Sequence, residues 1–80
     1  MHVLSVEIKG EQFKVTIQFD DQQYVGWATM TNKKYRGFSL DSDLYAVMSN
    51  ESMLVRKLVK LLSSLYDGKQ VNFPVNLNTV

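Results

Sequence analysis

Two segments of alternating hydrophobicity flank Gly10-Glu11 and constrain this chain more than anything else in it. Residues 2–9 place Leu4, Val6 and Ile8 on one face, and residues 12–19 place Phe13, Val15, Ile17 and Phe19 on one face, the period-two signature of half-buried strands. A two-residue connection with glycine first suits a type II′ hairpin turn. That turn pairs Ile8 with Phe13, Val6 with Val15 and Leu4 with Ile17 on one face. On the other it pairs Lys9 with Gln12, Glu7 with Lys14 and Ser5 with Thr16, so opposite charges and hydroxyls meet across the ladder. A slip of one residue would exchange the two faces, so the register is strongly specified.

The ladder extends forward. Asp20-Asp21-Gln22-Gln23 reads as the next turn and Tyr24 to about Thr31 as a third strand. Centring the turn on Asp21-Gln22 sets Phe19 against Tyr24, Ile17 against Gly26, Val15 against Ala28 and Phe13 against Met30. Small residues then face large ones in mid-strand, which lets a helix approach closely. Val25, Trp27 and Thr29 point to the opposite face. Thr31-Asn32-Lys33-Lys34 is a third turn and Tyr35 to Leu40 a fourth strand, with two registers available. A two-residue turn at Asn32-Lys33 sends Phe38 and Leu40 to the outer face beside Trp27 and Val25. A three-residue turn sends them inward beside Ala28 and Gly26, and this register is preferred because interiors fill to high density.

Asp41-Ser42-Asp43 opens either a short helix through Leu44, Tyr45, Val47 and Met48 or a turn into another short strand. The principal helix spans roughly 50–66, with Ser49 or Asn50 as N-cap and a broad apolar face of Met53, Leu54, Val55, Leu58, Val59, Leu61, Leu62 and Leu65. Arg56, Lys57, Lys60, Ser63 and Ser64 form its polar side, Lys57 and Lys60 lie toward its negative end, and Asp67-Gly68 supplies a stop. Val71, Phe73, Val75 and Leu77 alternate with polar residues as in a strand. Pro74 removes a ladder donor and consigns that strand to a sheet edge or outside the sheet. An arm pairing with a neighbouring chain is the other reading of this segment, and the ordinary edge strand is preferred to it.

The expected fold is α+β: an antiparallel sheet of three to five strands that begins with a β-hairpin, one long C-terminal helix packed across the face bearing Val6, Val15 and Ile17, and a C-terminal edge strand. A length of 80 residues limits the expectation to a single domain over 1–80, and 45% hydrophobic with 21% charged residues indicates a chain that folds.

Catalytic and metal chemistry lack parts. There is no cysteine and His2 is the only histidine, so thiolate sites and the usual zinc sets are missing. Asp41-Ser42-Asp43 starts like a calcium loop, but Tyr45 stands where a third ligand belongs and no glycine follows at the bend. No serine lies in Gly-x-Ser-x-Gly and no glycine-rich phosphate loop precedes a helix. The expectation is therefore no catalytic residue, no metal, no cofactor and no enzyme. The start of the chain carries Glu7 and Lys9 and lacks the apolar core of a signal peptide; no run is long enough to span a bilayer, and cytoplasm is the default with no membrane partner. In that setting Asn50-Glu51-Ser52 is a chance match to a glycosylation acceptor.

What remains is binding. An outward Trp27 beside Val25 is the residue type that dominates interface energies, and with Arg36 these form the candidate protein-binding set. The leading expectation is a small non-catalytic regulatory or inhibitory protein that acts by binding a protein partner of unknown identity, with homodimerisation as one form of it. The alternative is a nucleic-acid-binding module using Lys33, Lys34, Tyr35, Arg36 and Phe38, which interleave cations with aromatics as phosphate contact and base stacking require. A net charge of only +1 weighs against it.

Overall fold

The computed structural model describes residues 1–48 and 52–78. Five strands and two helices follow one another as β1 (His2–Lys9), β2 (Gln12–Phe19), β3 (Gln22–Asn32), β4 (Gly37–Leu40), α1 (Ser42–Met48), α2 (Ser52–Tyr66) and β5 (Val75–Asn76). The strands form one antiparallel sheet in the order β4-β3-β2-β1-β5. Buried strand residues lie on one face only: Val3, Phe13, Val15, Ile17, Ala28 and Met30 meet Leu44 and Met48 of α1, Leu54, Leu58 and Leu62 of α2, and Leu77. Both helices therefore cover the same side. In place of one long helix across that face, a seven-residue and a fifteen-residue helix share it.

The opening hairpin follows its predicted register from Lys9↔Gln12 back to Ser5↔Thr16, with Gly10 at φ +64°. Toward the start of β1 it departs. A bulge between Val3 and Ser5 places Val3, not Leu4, opposite Ile17, and Val3 is fully buried while Leu4 is only half-buried. Alternation alone cannot reveal a bulge, because the extra residue adds no signal of its own.

The β2–β3 turn is Asp20-Asp21, one residue earlier than the predicted centre, and both aspartates take left-handed φ (50° and 62°) as a type I′ turn demands. Every pair in this ladder consequently moves by two: Phe19 meets Gln22, Ile17 meets Tyr24, Val15 meets Gly26 and Phe13 meets Ala28. A shift of two preserves facing, so Trp27 and Val25 still point away from the helices. Between β3 and β4 the inward facing of Phe38 and Leu40 holds but the register does not: Leu40 stands opposite Ala28 and Phe38 opposite Met30, with a bulge between Met30 and Asn32, instead of beside Gly26 and Ala28 after a three-residue turn. Phe38 packs edge-on to Phe13 with ring centroids 5.4 Å apart.

Residues 42–48 are helix, which resolves the open alternative at that segment. Gly26 explains how close α1 lies: a Cβ built there would stand 2.6 Å from the Leu44 Cβ and 2.9 Å from Asp41 Oδ1. In α2 the buried stripe is narrower than the apolar face in the sequence. Leu54, Leu58 and Leu62, four apart, are buried and each contributes about 1.5–3 kcal/mol. Met53 is exposed. The N-cap expectation at Ser49 or Asn50 lies outside the described residues. Lys57 and Lys60 fall short of the last turn, which carries no cation. At the other end Gly68 adopts φ +84°, its N–H donates to the Leu65 carbonyl, and the Lys69 N–H donates to the Ser64 carbonyl, a Schellman stop.

Pro74 limits the C-terminal strand as expected. The Phe73–Pro74 bond is cis, and only Val75 and Asn76 pair, against Val3 and His2 at the sheet edge. Residues 71–74 are not strand. Among the described residues no helix is long and apolar enough to cross a membrane.

Candidate functional site: the open sheet face and the basic groove

Trp27 sits in the middle of the sheet face that no helix covers. Its cross-strand neighbour is Lys14, which in turn pairs with Glu7 on β1. The Lys9 ammonium lies 5.8 Å from the centre of the indole ring, within cation–π range. The ring is half-buried, and Val25, opposite Thr16 on the same face, is 48% exposed. Nothing from α1 or β5 caps the indole: α1 lies against the opposite face at Gly26, and β5 pairs with β1 at the far edge. The site is thus an indole beside Lys9 and Lys14 on a surface that also carries Val25, Glu7 and several Thr, Gln and Ser residues.

Lys14 was missed as a neighbour of Trp27 because a turn centred on Asp21-Gln22 sets Trp27 against Thr16. Two adjacent aspartates, each tolerant of left-handed φ, are the signal that would have found it.

Arg36 is not part of this face. Its guanidinium donates to Asp67 just past α2 and stacks 4.8 Å from the Tyr66 ring centre, on the helical side of the sheet. The basic-aromatic segment is likewise divided. The Lys33 ammonium pairs with Glu11 at 3.1 Å, and that hydrogen bond, with the carboxylate charge behind it, raises the lysine pKa above its ordinary value. Phe38 is packed against the core. Lys34 rests over the ring of Tyr35, which is 75% exposed, and the Tyr35 N–H donates to the Asn32 side-chain oxygen across the turn. Of the five residues, Lys33, Lys34 and Tyr35 are exposed, and Lys33 is engaged by Glu11.

The structure instead builds a basic region that the sequence scatters. Of the nine Lys and Arg residues, all but Lys9 and Lys14 fall in the β3–β4 connection, in α2 or at Lys69 just beyond it. Arg36, Tyr35 and the flank of α2 line an open groove of about 390 Å³. Among the described residues no three His, Asp or Glu side chains gather as a metal site.

Comparison with protein families, with curated proteins and with solved structures finds no match to this chain.

Proposed function

We propose that this chain is a non-catalytic regulatory or inhibitory protein that binds a protein partner through its open sheet face, with Trp27 as the anchor and Val25 beside it. The observation that carries the reading is a half-exposed indole, flanked by Lys9 and Lys14, on a face that both helices leave free. Tryptophan offers a large apolar surface with little side-chain entropy to lose, which is why it recurs at the centres of interfaces. The two lysines favour an apolar patch rimmed by carboxylates on the partner. Arg36 belongs to a different surface and leaves the proposed contact set.

Trp27 is the sole tryptophan, so quenching of its fluorescence by acrylamide reports on the site without mutation. The expected result is an accessible ring at low protein concentration. A ring as shielded as one in a protein core would sink the reading. Shielding that appears only at high concentration, together with a dimer in sedimentation, identifies the partner as a second copy.

A further inference from the structure

We infer that the groove between the β3–β4 connection and the flank of α2 binds an acidic peptide segment carrying apolar side chains. This is a second surface, independent of the open sheet face.

The groove has two kinds of wall. Val55 and Val59, one helical turn apart, line it with apolar surface and are only half-buried. Arg56 and Lys60, the next positions round the helix, run parallel to them and are exposed, while Tyr35 and Arg36 close the opposite side. Arg36 is already neutralised by Asp67. Arg56 and Lys60 have no carboxylate partner among the described residues, and α2 carries no acid from Ser52 to Tyr66. Like charges four apart on a helix repel, so this arrangement costs the free protein a little stability that an anionic ligand would return.

The valines decide the kind of ligand. A bare anion makes no use of an apolar floor. A nucleic-acid strand needs a run of uncommitted cations and several free aromatic faces, whereas here Lys33 and Arg36 are paired, Phe38 is packed on the core and, among the described residues, Tyr35 is the one exposed ring lining the groove, with Lys34 over it. Side chains that alternate between carboxylate and hydrocarbon match both walls, with the carboxylates toward Arg56 and Lys60 and the apolar groups over Val55 and Val59.

The test is fluorescence anisotropy with a labelled short peptide of alternating glutamate and leucine. Saturable binding is expected, weakened at least about tenfold by Arg56→Glu with Lys60→Glu and by Val59→Asn, and unchanged by Trp27→Ala. If the charge reversals disturb the helix by circular dichroism, Arg56→Gln with Lys60→Gln serves in their place and should weaken binding in the same direction. A glutamate–serine peptide that binds equally well reduces the groove to plain charge attraction and overturns the inference. So does oligothymidine that binds more tightly than the peptide, charge variants without effect, or loss of binding on Trp27→Ala.

Discussion

Asp41 and Trp27 exchange hydrogen bonds in both directions, and the exchange is where the sheet becomes a helix. The Asp41 N–H donates to the Trp27 carbonyl at 2.9 Å, as the next rung of the β3–β4 ladder. The Asp41 carbonyl is taken by the Tyr45 N–H at 2.8 Å, the first helical bond of α1. The Trp27 N–H therefore turns to the Asp41 carboxylate, donating to Oδ2 at 2.9 Å, while Oδ1 accepts from the Leu44 N–H as a helix cap. One side chain ends a ladder and starts a helix beneath the proposed binding residue.

Asp41→Ala should cost about 2 kcal/mol, roughly half from the lost cap and half from a part-buried Trp27 N–H left without an acceptor. Asp41→Asn keeps one acceptor and should cost about half as much. Urea unfolding measures both. Amide hydrogen exchange at Trp27 should speed up in Asp41→Ala, and unchanged exchange there would mean that the carboxylate does not hold the strand.

Gly26 makes the approach of α1 possible, so Gly26→Ala should destabilise by about 1–3 kcal/mol through overpacking against Leu44. Leu44→Ala alone empties core volume. Combined with Gly26→Ala it should cost about the sum of the two, because the atoms a Gly26 methyl meets, the Leu44 Cβ and Cα and Asp41 Oδ1, are all kept when Leu44 becomes alanine. A Gly26→Ala variant as stable as wild type in urea unfolding would contradict the packing described.

The register of the first hairpin was legible in the sequence as far as Ser5↔Thr16, whereas beyond it only facing was. Alternation carries parity, so Trp27 outward and Phe13, Val15 and Ile17 inward follow from the pattern, and they survive a two-residue displacement of β3. The Val3 bulge leaves no trace in a run of apolar residues. The inward turn of Phe38 and Leu40 was legible through volume, since Ala28 and Gly26 leave space, although α1 rather than Leu40 fills the space at Gly26. The basic groove was out of reach. It depends on Arg36 meeting α2 across more than thirty residues of chain, a contact that local periodicity does not encode.

The bulge makes a comparison between neighbours. Val3→Ala should cost about 2 kcal/mol, whereas Leu4→Ala should cost under about 1 kcal/mol despite removing the larger side chain, because only Val3 is sealed in the core. Chemical denaturation of the two variants decides it. A larger loss at Leu4 would restore the unbulged register.

Lys33 titrates above an ordinary lysine because the Glu11 carboxylate accepts its hydrogen bond and attracts its charge. A folded pKa above the unfolded one means that the pair's contribution is in place at neutral pH and is lost as pH rises through the lysine range. Side-chain NMR should show the Lys33 midpoint falling when Glu11→Gln removes the carboxylate charge. Both side chains are more than half exposed, so salt should narrow the difference. Equal Lys33 midpoints in wild type and Glu11→Gln would remove the pair.

The β2–β3 turn holds two aspartates in left-handed φ, a conformation that glycine and asparagine adopt at lower cost. Asp20→Asn with Asp21→Gly should therefore stabilise the fold by about 0.5–1 kcal/mol, by relieving the backbone and removing adjacent like charges. Asp21→Ala, which keeps a Cβ but loses the side chain that tolerates this φ, should destabilise by about 1 kcal/mol. Gln22→Gly separates the two possible turns. With the turn at Asp20-Asp21, Gln22 is a strand residue opposite Phe19, and glycine there weakens the ladder. With the turn one residue later, the same change would relax it. A thermal melt of Gln22→Gly that rises above wild type would move the turn to Asp21-Gln22 and Trp27 to a place opposite Thr16, away from Lys14.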